Sequence, residues 1–583
     1  MLHSTFIASK FSFDRTPAAL AALGLCGALL ALSATAAQAQ TPSGSRKAWS
    51  TRTATTTTTT TTTGTTGTTG TGTTTGTTGT TTTTTTTATT TPSAVATAAL
   101  GLTPCVPSGK GTDYPVGPGL AYTSLDQVPW ESLKAGDTVR IHPSSTPYRG
   151  KFALIAQGTA DAPVRICGVR ASDGSRPVID ASGATTRAAL SDIYGSSTYV
   201  RDIHQDRTLI VIKPSPAQGW TAYPRHIRID GLKLTGAHPD RTFRNAAGAV
   251  RSYLPFGACV WIERGQDISI IDNEITDCQM GVFSKSTDDG DFAVTRNLRI
   301  AGNTFSGHGI VGDVHQHSTY TQGINVLIEF NRYGPLRAGA LGNGVKDRSA
   351  GTVVRYNRIE EGSHAIDLVE SEDFPLTAMA TPAYRSTYVY GNQIVKTGDT
   401  GAVISYGGDH FGSQAGALWG EPIFRKGTLH FFHNTLQLKG TAAWVFRIAT
   451  TEEKVEAWGN AIHFASTISQ KSMRMDREVA AAWTGGGIVN LGRNWISSGW
   501  QDSDIWHPVR GQLNVLVPQL GDATLPFDTT AFRPVAGSTL IDTVLRSSAT
   551  PASVVVTHQL DASGQPQLRT RTGSADDLGA VER

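Results

Sequence analysis

Lys346, Asp347 and Arg348 follow one another in the stretch NGVKDRSAG, residues 343–351. Breaking an acidic polysaccharide by β-elimination calls for a base to remove the proton beside a carboxylate. It also calls for a cation to neutralise the charge that develops there. A lysine next to an arginine has its pKa lowered, which suits Lys346 to the role of base. The planar guanidinium of Arg348 suits a bidentate grip on a sugar carboxylate. The bland reading of the same triplet is a solvated charged turn.

A second constellation comprises His364, Asp367, Glu370, Glu372 and Asp373. Asp367 lies between Ile366 and Leu368, so strand alternation turns it outward. Two carboxylates across a groove serve as acid and base in glycoside hydrolysis. Clusters of this kind are also common as solvated loops. Lys346, Arg348 and Asp367 are the expected catalytic residues. His317, Tyr320, Asp347, His364, Glu370, Tyr406, Asp409 and His410 are the expected substrate-binding residues. Weaker signals are Gly307-His308-Gly309, similar to the Gly-His-Gly of polygalacturonases, and His315-Gln316-His317, too short a pattern to assign a metal. Trp261, Tyr320, Tyr333 and Trp419 have rings that stack on sugars or pack loops.

Residues this far apart need a scaffold that repeats. The segments DISIIDNEI (267–275), NLRIAGNTF (297–305), NVLIEFNRY (325–333), GTVVRYNRI (351–359) and STYVYGNQI (386–394) share the template apolar-x-apolar-x-x-Asn-x-apolar. Further copies place asparagines at 434, 460 and 494. Self-similarity at this period means a solenoid or a propeller. Period-2 alternation before each Asn makes a strand, and the Asn, tolerant of left-handed backbone, makes the bend. Three short strands per unit stack into a parallel β-helix, with the asparagines bonded in a ladder. Hairpin signals for propeller blades are missing. The column Trp261, Lys285, Lys346, Asp367, Tyr406 and Arg447 is expected to line one outer flank. Insertions at 370–385 and 407–425 should wall it.

Both ends of such a spiral need cover. Residues 124–134, SLDQVPWESLK, read as an amphipathic helix plugging the first end, with Leu125, Val128 and Leu133 inward. The first strand is expected at 136–141 and a closing segment at about 511–583.

The rest of the chain is simpler. Residues 1–39 read as a cleaved bacterial-type export signal, so the protein is expected to be secreted. Residues 40–104 read as a disordered linker: 32 of the 41 residues from Thr51 to Thr91 are Thr, with no apolar alternation to bury. The β-helix domain is expected at 105–583. Four cysteines remain, either as Cys105–Cys167 and Cys259–Cys278 or as buried thiols. With 50 Lys plus Arg against 47 Asp plus Glu, the net charge of +3 argues against a nucleic-acid binder. No membrane span follows the signal, and a monomer is expected.

GDTVRI (136–141), PYRGKF (147–152), GTADAPVRI (158–166) and RPVID (176–180) resemble the opening coils of secreted pectate-lyase-like β-helix proteins. FRPVAGSTLID (532–542) and DLGAVE (577–582) resemble the tail found on many of them. The resemblance implies an all-β, right-handed parallel β-helix and a polysaccharide substrate. Asn343-Gly344-Val345-Lys346, followed by Arg355-Tyr356-Asn357, is similar to the lysine motif of chondroitinase B and alginate lyases. Those enzymes imply calcium, yet Gly339 and Leu341 stand where their ligand carboxylates would be, and Asp367 or His364 where their arginine would be. The cofactor therefore stays open. The expected function is a polysaccharide lyase, with a glycoside hydrolase or a non-catalytic glycan-binding protein as alternatives.

Overall fold

The computed structural model describes residues 93–191, 204–412, 418–475, 487–503 and 511–583. The export segment and the threonine tract lie outside the described residues. No described helix is long and apolar enough to cross a membrane.

One coil shows how the winding arises. The strand Gln266–Ile271 turns into Glu274–Thr276, which turns again into Met280–Ser284. The chain then returns to lay Arg299–Ala301 in parallel beside the first strand, Ser269 opposite Arg299. Repetition yields two 13-stranded sheets and one 10-stranded sheet among the described residues. This is a parallel β-helix, with the right-handed sense that parallel crossovers take. Inward Ile, Val, Leu and Phe of all three sheets form one continuous core.

The asparagine ladder runs as expected. Asn273, 303, 331, 357, 392, 434 and 460 each donate both backbone N–H and Nδ2 to the Oδ1 of the next, at 2.8–3.1 Å. Asn494 ends the series on Gln519. The left-handed bend, however, falls one residue earlier than expected, at Asp272, Phe330, Tyr356 and His433, with φ of 52–57°. The Asn side chain bonds the stack and its neighbour makes the corner. Aromatic residues at or just before these corners form a file, Phe330, Tyr356, Tyr390, Phe432 and Trp458, with ring centroids 4.8–5.5 Å apart.

Other expectations shift. The first sheet begins at Asp113–Val116, one strand before Thr138–Ile141. The cap is not an α-helix but two 3₁₀ turns, Leu125–Gln127 and Trp130–Ser132. Pro129 between them lacks an N–H and breaks any longer helix. Leu125, Val128 and Leu133 are buried as expected, and Trp130 stacks on Phe152 at 3.8 Å. Order also begins before residue 104. The helix Ala94–Leu100 and the residues after it lie across the first sheet, where Arg165, Arg228 and Arg299 donate to the carbonyls of residues 99–104. Strand Gln512–Val515 continues the first sheet rather than closing it. Beyond it the tail folds back along the aromatic file, with Leu560 in the same cluster. Cys105–Cys167 and Cys259–Cys278 are both bonded.

Candidate active site

The second sheet carries the site. Its register aligns Trp261, Phe283, Tyr320, Lys346, Asp367, Ser405 and Arg447 in one outward column. Lys346 and Asp367, 21 residues apart, are direct neighbours across two strands. Two expected members are displaced. Phe283 holds the place given to Lys285, which lies two residues on. Ser405 holds the place given to Tyr406, which pairs with inward Leu368 and is fully buried. Tyr406 is therefore a core residue. Asp347 is also corrected: alternation sends it inward, where it is fully buried. It accepts from Thr321 Oγ1 at 2.8 Å, Thr352 Oγ1 at 2.6 Å and Arg425 Nη2 at 3.0 Å.

Lys346 Nζ lies 2.8 Å from Asp367 Oδ2 and 2.6 Å from Asp409 Oδ2. Burial alone would push its pKa down, but the two carboxylates outweigh this and raise it. Two carboxylates within ion-pair distance favour the ammonium form of Lys346, the opposite of the lowered pKa expected of a lysine base beside Arg348. Burial opposes ionisation of Asp367 as well, and Lys346 overrides it, holding the carboxyl down to about 2. The other Asp367 oxygen, Oδ1, is buried with no hydrogen-bond partner.

Arg348 is 2% exposed and surrounded by carboxylates. Its Nη2 reaches Asp409 Oδ1 at 2.9 Å, Nη1 reaches Glu370 Oε2 at 3.2 Å, and Nε donates to Tyr320 Oη at 2.8 Å. Tyr320 Oη lies 3.1 Å from Glu372 Oε1. Asp409 and His410 come from the insertion after the strand Ile404–Tyr406, and both of their backbone N–H groups donate to Glu370. His410 Nδ1 is ringed by Glu370, Glu372 and Asp409 at 2.9–3.3 Å. Burial lowers its pKa, and Asp409 and the glutamates more than reverse that, leaving it raised above the ordinary imidazole value. Asp409 is driven well below the ordinary carboxylate range, Arg348 and Lys346 overriding burial. Asp373 goes the other way. Burial and the nearby Glu372 raise it to about 6, and Gln322 donates to it at 2.8 Å.

The histidines and one asparagine frame this cluster. Asn343, not expected as a site residue, donates its backbone N–H to His317 Nδ1 and its Nδ2 to Asp367 Oδ2, both at 2.9 Å. Its Oδ1 accepts from the His364 N–H. His317 and His364 are both neutral because of burial, the latter at about 4. His317 accepts at Nδ1 and so carries its proton on Nε2, while His364 donates from Nδ1 to the Ala402 carbonyl at 2.8 Å. The only sequence sign of Asn343 was its place in the lysine motif. His308 serves structure: it is buried and bonds the carbonyls of Cys278 and Ile275.

The calcium that the lyase resemblance implies does not fit. Position 339 has no side chain, and Leu341 is 45% exposed and apolar. Glu370, Asp409 and His410 do place one ligand atom each within 4.8 Å of one another, but Arg348 and Lys346 already neutralise that cluster.

No protein-family model matches the chain, and no curated protein is similar to it in sequence. Among solved structures it is similar to an alginate lyase from Paenibacillus sp. str. FPU-7, at 15% identity and a TM-score of 0.37, over 58% of this chain and 93% of that one. It is similar to pectate lyase Pel9A at 11% identity and a TM-score of 0.38, over 81% and 96% of the two chains. A complex of XylC with xylose aligns at 9% identity and a TM-score of 0.40, over 81% and 98%. Likeness of this degree concerns fold alone. The fold is the parallel β-helix already set out by the strand pairing.

Proposed function

We propose that this chain degrades an acidic polysaccharide in the groove formed by the second sheet. The reading rests on one observation: Lys346 and Arg348, two fixed cations on adjacent positions of a solenoid flank, converge on a single carboxylate position beside the ionised Asp367. A uronate polymer laid along the column would present a carboxylate to that clamp.

Hydrolysis is the reaction that the protonation states favour. Lys346 is charged, Tyr320 is raised well above its usual range by burial, and the His317 lone pair is used by Asn343. The carboxylates are then the groups with lone pairs to offer, and their environments divide them. Asp367 is ionised and acts as base, while Asp373 keeps its proton to about pH 6 and acts as acid. Elimination is the second reading, favoured by the clamp itself, since neutralising a uronate carboxylate is what makes its neighbouring proton removable.

Incubation of the purified protein with galacturonate, glucuronate and mannuronate polymers distinguishes the two. New reducing ends without near-ultraviolet absorbance are expected. Unsaturated products would replace hydrolysis by elimination, and failure to cleave any uronate polymer would overturn the substrate class.

A further inference from the structure

Asp409 occupies the clamp in an unusual way. Its Oδ2 meets Lys346 at 2.6 Å and its Oδ1 meets Arg348 at 2.9 Å, so one carboxylate spans both cations. It belongs to no strand of the solenoid. It comes from the insertion that follows Gly407-Gly408, and its side chain is 21% exposed while Lys346 and Arg348 beneath it are 8% and 2% exposed. Lys346 is fixed by strand register and Arg348, one residue past the strand, by its N–H donating to the Thr321 carbonyl, whereas their partner is delivered from outside the sheet. A carboxylate that presents both oxygens to a lysine and an arginine is the chemical image of a uronate carboxylate on the same pair.

We propose that Asp409 is a built-in stand-in for the substrate carboxylate, holding the clamp shut until an acidic sugar takes its place. This rests on the acidic-polysaccharide reading of the same site. The buried, unpartnered Oδ1 of Asp367 agrees with a closed state. A buried carboxylate oxygen without a donor is costly, and a sugar hydroxyl or water admitted with the ligand would supply one. His410 moves with its neighbour in this scheme, and its ring lies 4.4 Å from that of Trp419. The indole therefore reports on whether the turn is seated.

The proposal predicts a gain where a catalytic aspartate would give a loss. Asp409→Asn keeps the size of the side chain and removes the charge that competes with substrate. Binding of galacturonate, glucuronate and mannuronate oligomers is measured by calorimetry, each beside its carboxyl-reduced neutral counterpart. The acidic oligomer that binds should bind the variant roughly tenfold more tightly than the wild type, the neutral form showing no such gain. In wild-type protein the acidic oligomer alone should change the tryptophan emission, and Trp419→Phe should abolish that change. The second measurement decides the matter if Asp409→Asn does not fold. Unchanged or weaker binding by a folded Asp409→Asn would overturn the stand-in role, as would an emission change that the neutral oligomer reproduces. Tighter acidic binding without cleavage by either protein would uphold the stand-in and refute degradation.

Discussion

At the scale of single residues, the site is a set of opposed charges whose protonation is set by neighbours. Asp373 is a carboxyl that titrates in the mildly acidic range. Burial and Glu372 raise its folded value to about 6 from the ordinary 3.8, so the folded protein binds the extra proton between those values. Its contribution to stability is complete below the lower value and is lost as pH rises through 6. As the proposed acid it also sets an activity limb. Cleavage should fall above about pH 6, and Asp373→Asn should lower kcat by about 10²–10³-fold at pH 5 and flatten that limb. A pH–rate profile that keeps its limb in the variant would assign the acid elsewhere. Lys346, Arg348 and Asp367 were readable because alternation places them outward. Asp347 was misread by the same rule, since the neighbour of an outward lysine must point inward. What permits a carboxylate there is Arg425, 78 residues later at the end of an insertion, which no local pattern announces. Asp409 and His410 were noticed as residues, but their grip on Lys346, Arg348 and Glu370 could not be seen, because insertions carry no period.

At the scale of elements, the repeat was legible because its cause is periodic. Each Asn satisfies the same backbone groups on every coil, so the spacing survives in sequence. The corner one residue before it was hidden, since Asp, Phe, Tyr, His and Gly all fill that place, and the rings of the file sit there at Phe330 and Tyr356 but one residue earlier at Tyr390, Phe432 and Trp458. Tyr406 was misplaced because a three-residue strand offers too little alternation to fix its phase. The ladder itself makes a quantitative claim. Asn357 donates to Asn392 from both nitrogens and to the carbonyls of Ile328 and Arg355, and it accepts from Asn331. Replacing it with Ala leaves buried donors and acceptors on two adjoining coils without partners. The cost should be about 3–5 kcal/mol, at ~1–3 kcal/mol for each stranded group. Urea unfolding of Asn357→Ala measures it. A loss below about 1 kcal/mol would mean that water replaces the amide and that the ladder is dispensable.

At the scale of the whole molecule, a solenoid has a weakness that its own coils do not repair. Each coil touches only the next, so unfolding can begin at any weak rung and spread. The returning tail supplies connections of another kind. Thr550 accepts from the Trp458 indole at 2.9 Å, the Thr557 N–H donates to Tyr356 Oη at 2.9 Å, and the Ala580 N–H donates to Thr435 Oγ1 at 2.8 Å. One segment thus ties coils more than a hundred residues apart in sequence, and it shields the aromatic file from water. Sequence likeness marked the tail as a distinct piece, but its destination depends on which corner carries the rings, and that was the feature hidden above. Deleting residues 541–583 should uncover much of the file and lower stability by about 4–6 kcal/mol, given ~1.5–3 kcal/mol for each large side chain returned to water. Unfolding should also broaden, as coils bearing the site come apart separately from those near the first end. A truncated chain that melts at the wild-type midpoint in one sharp transition would show that the coils cohere without the strap, and that cooperativity resides in the asparagine ladder alone.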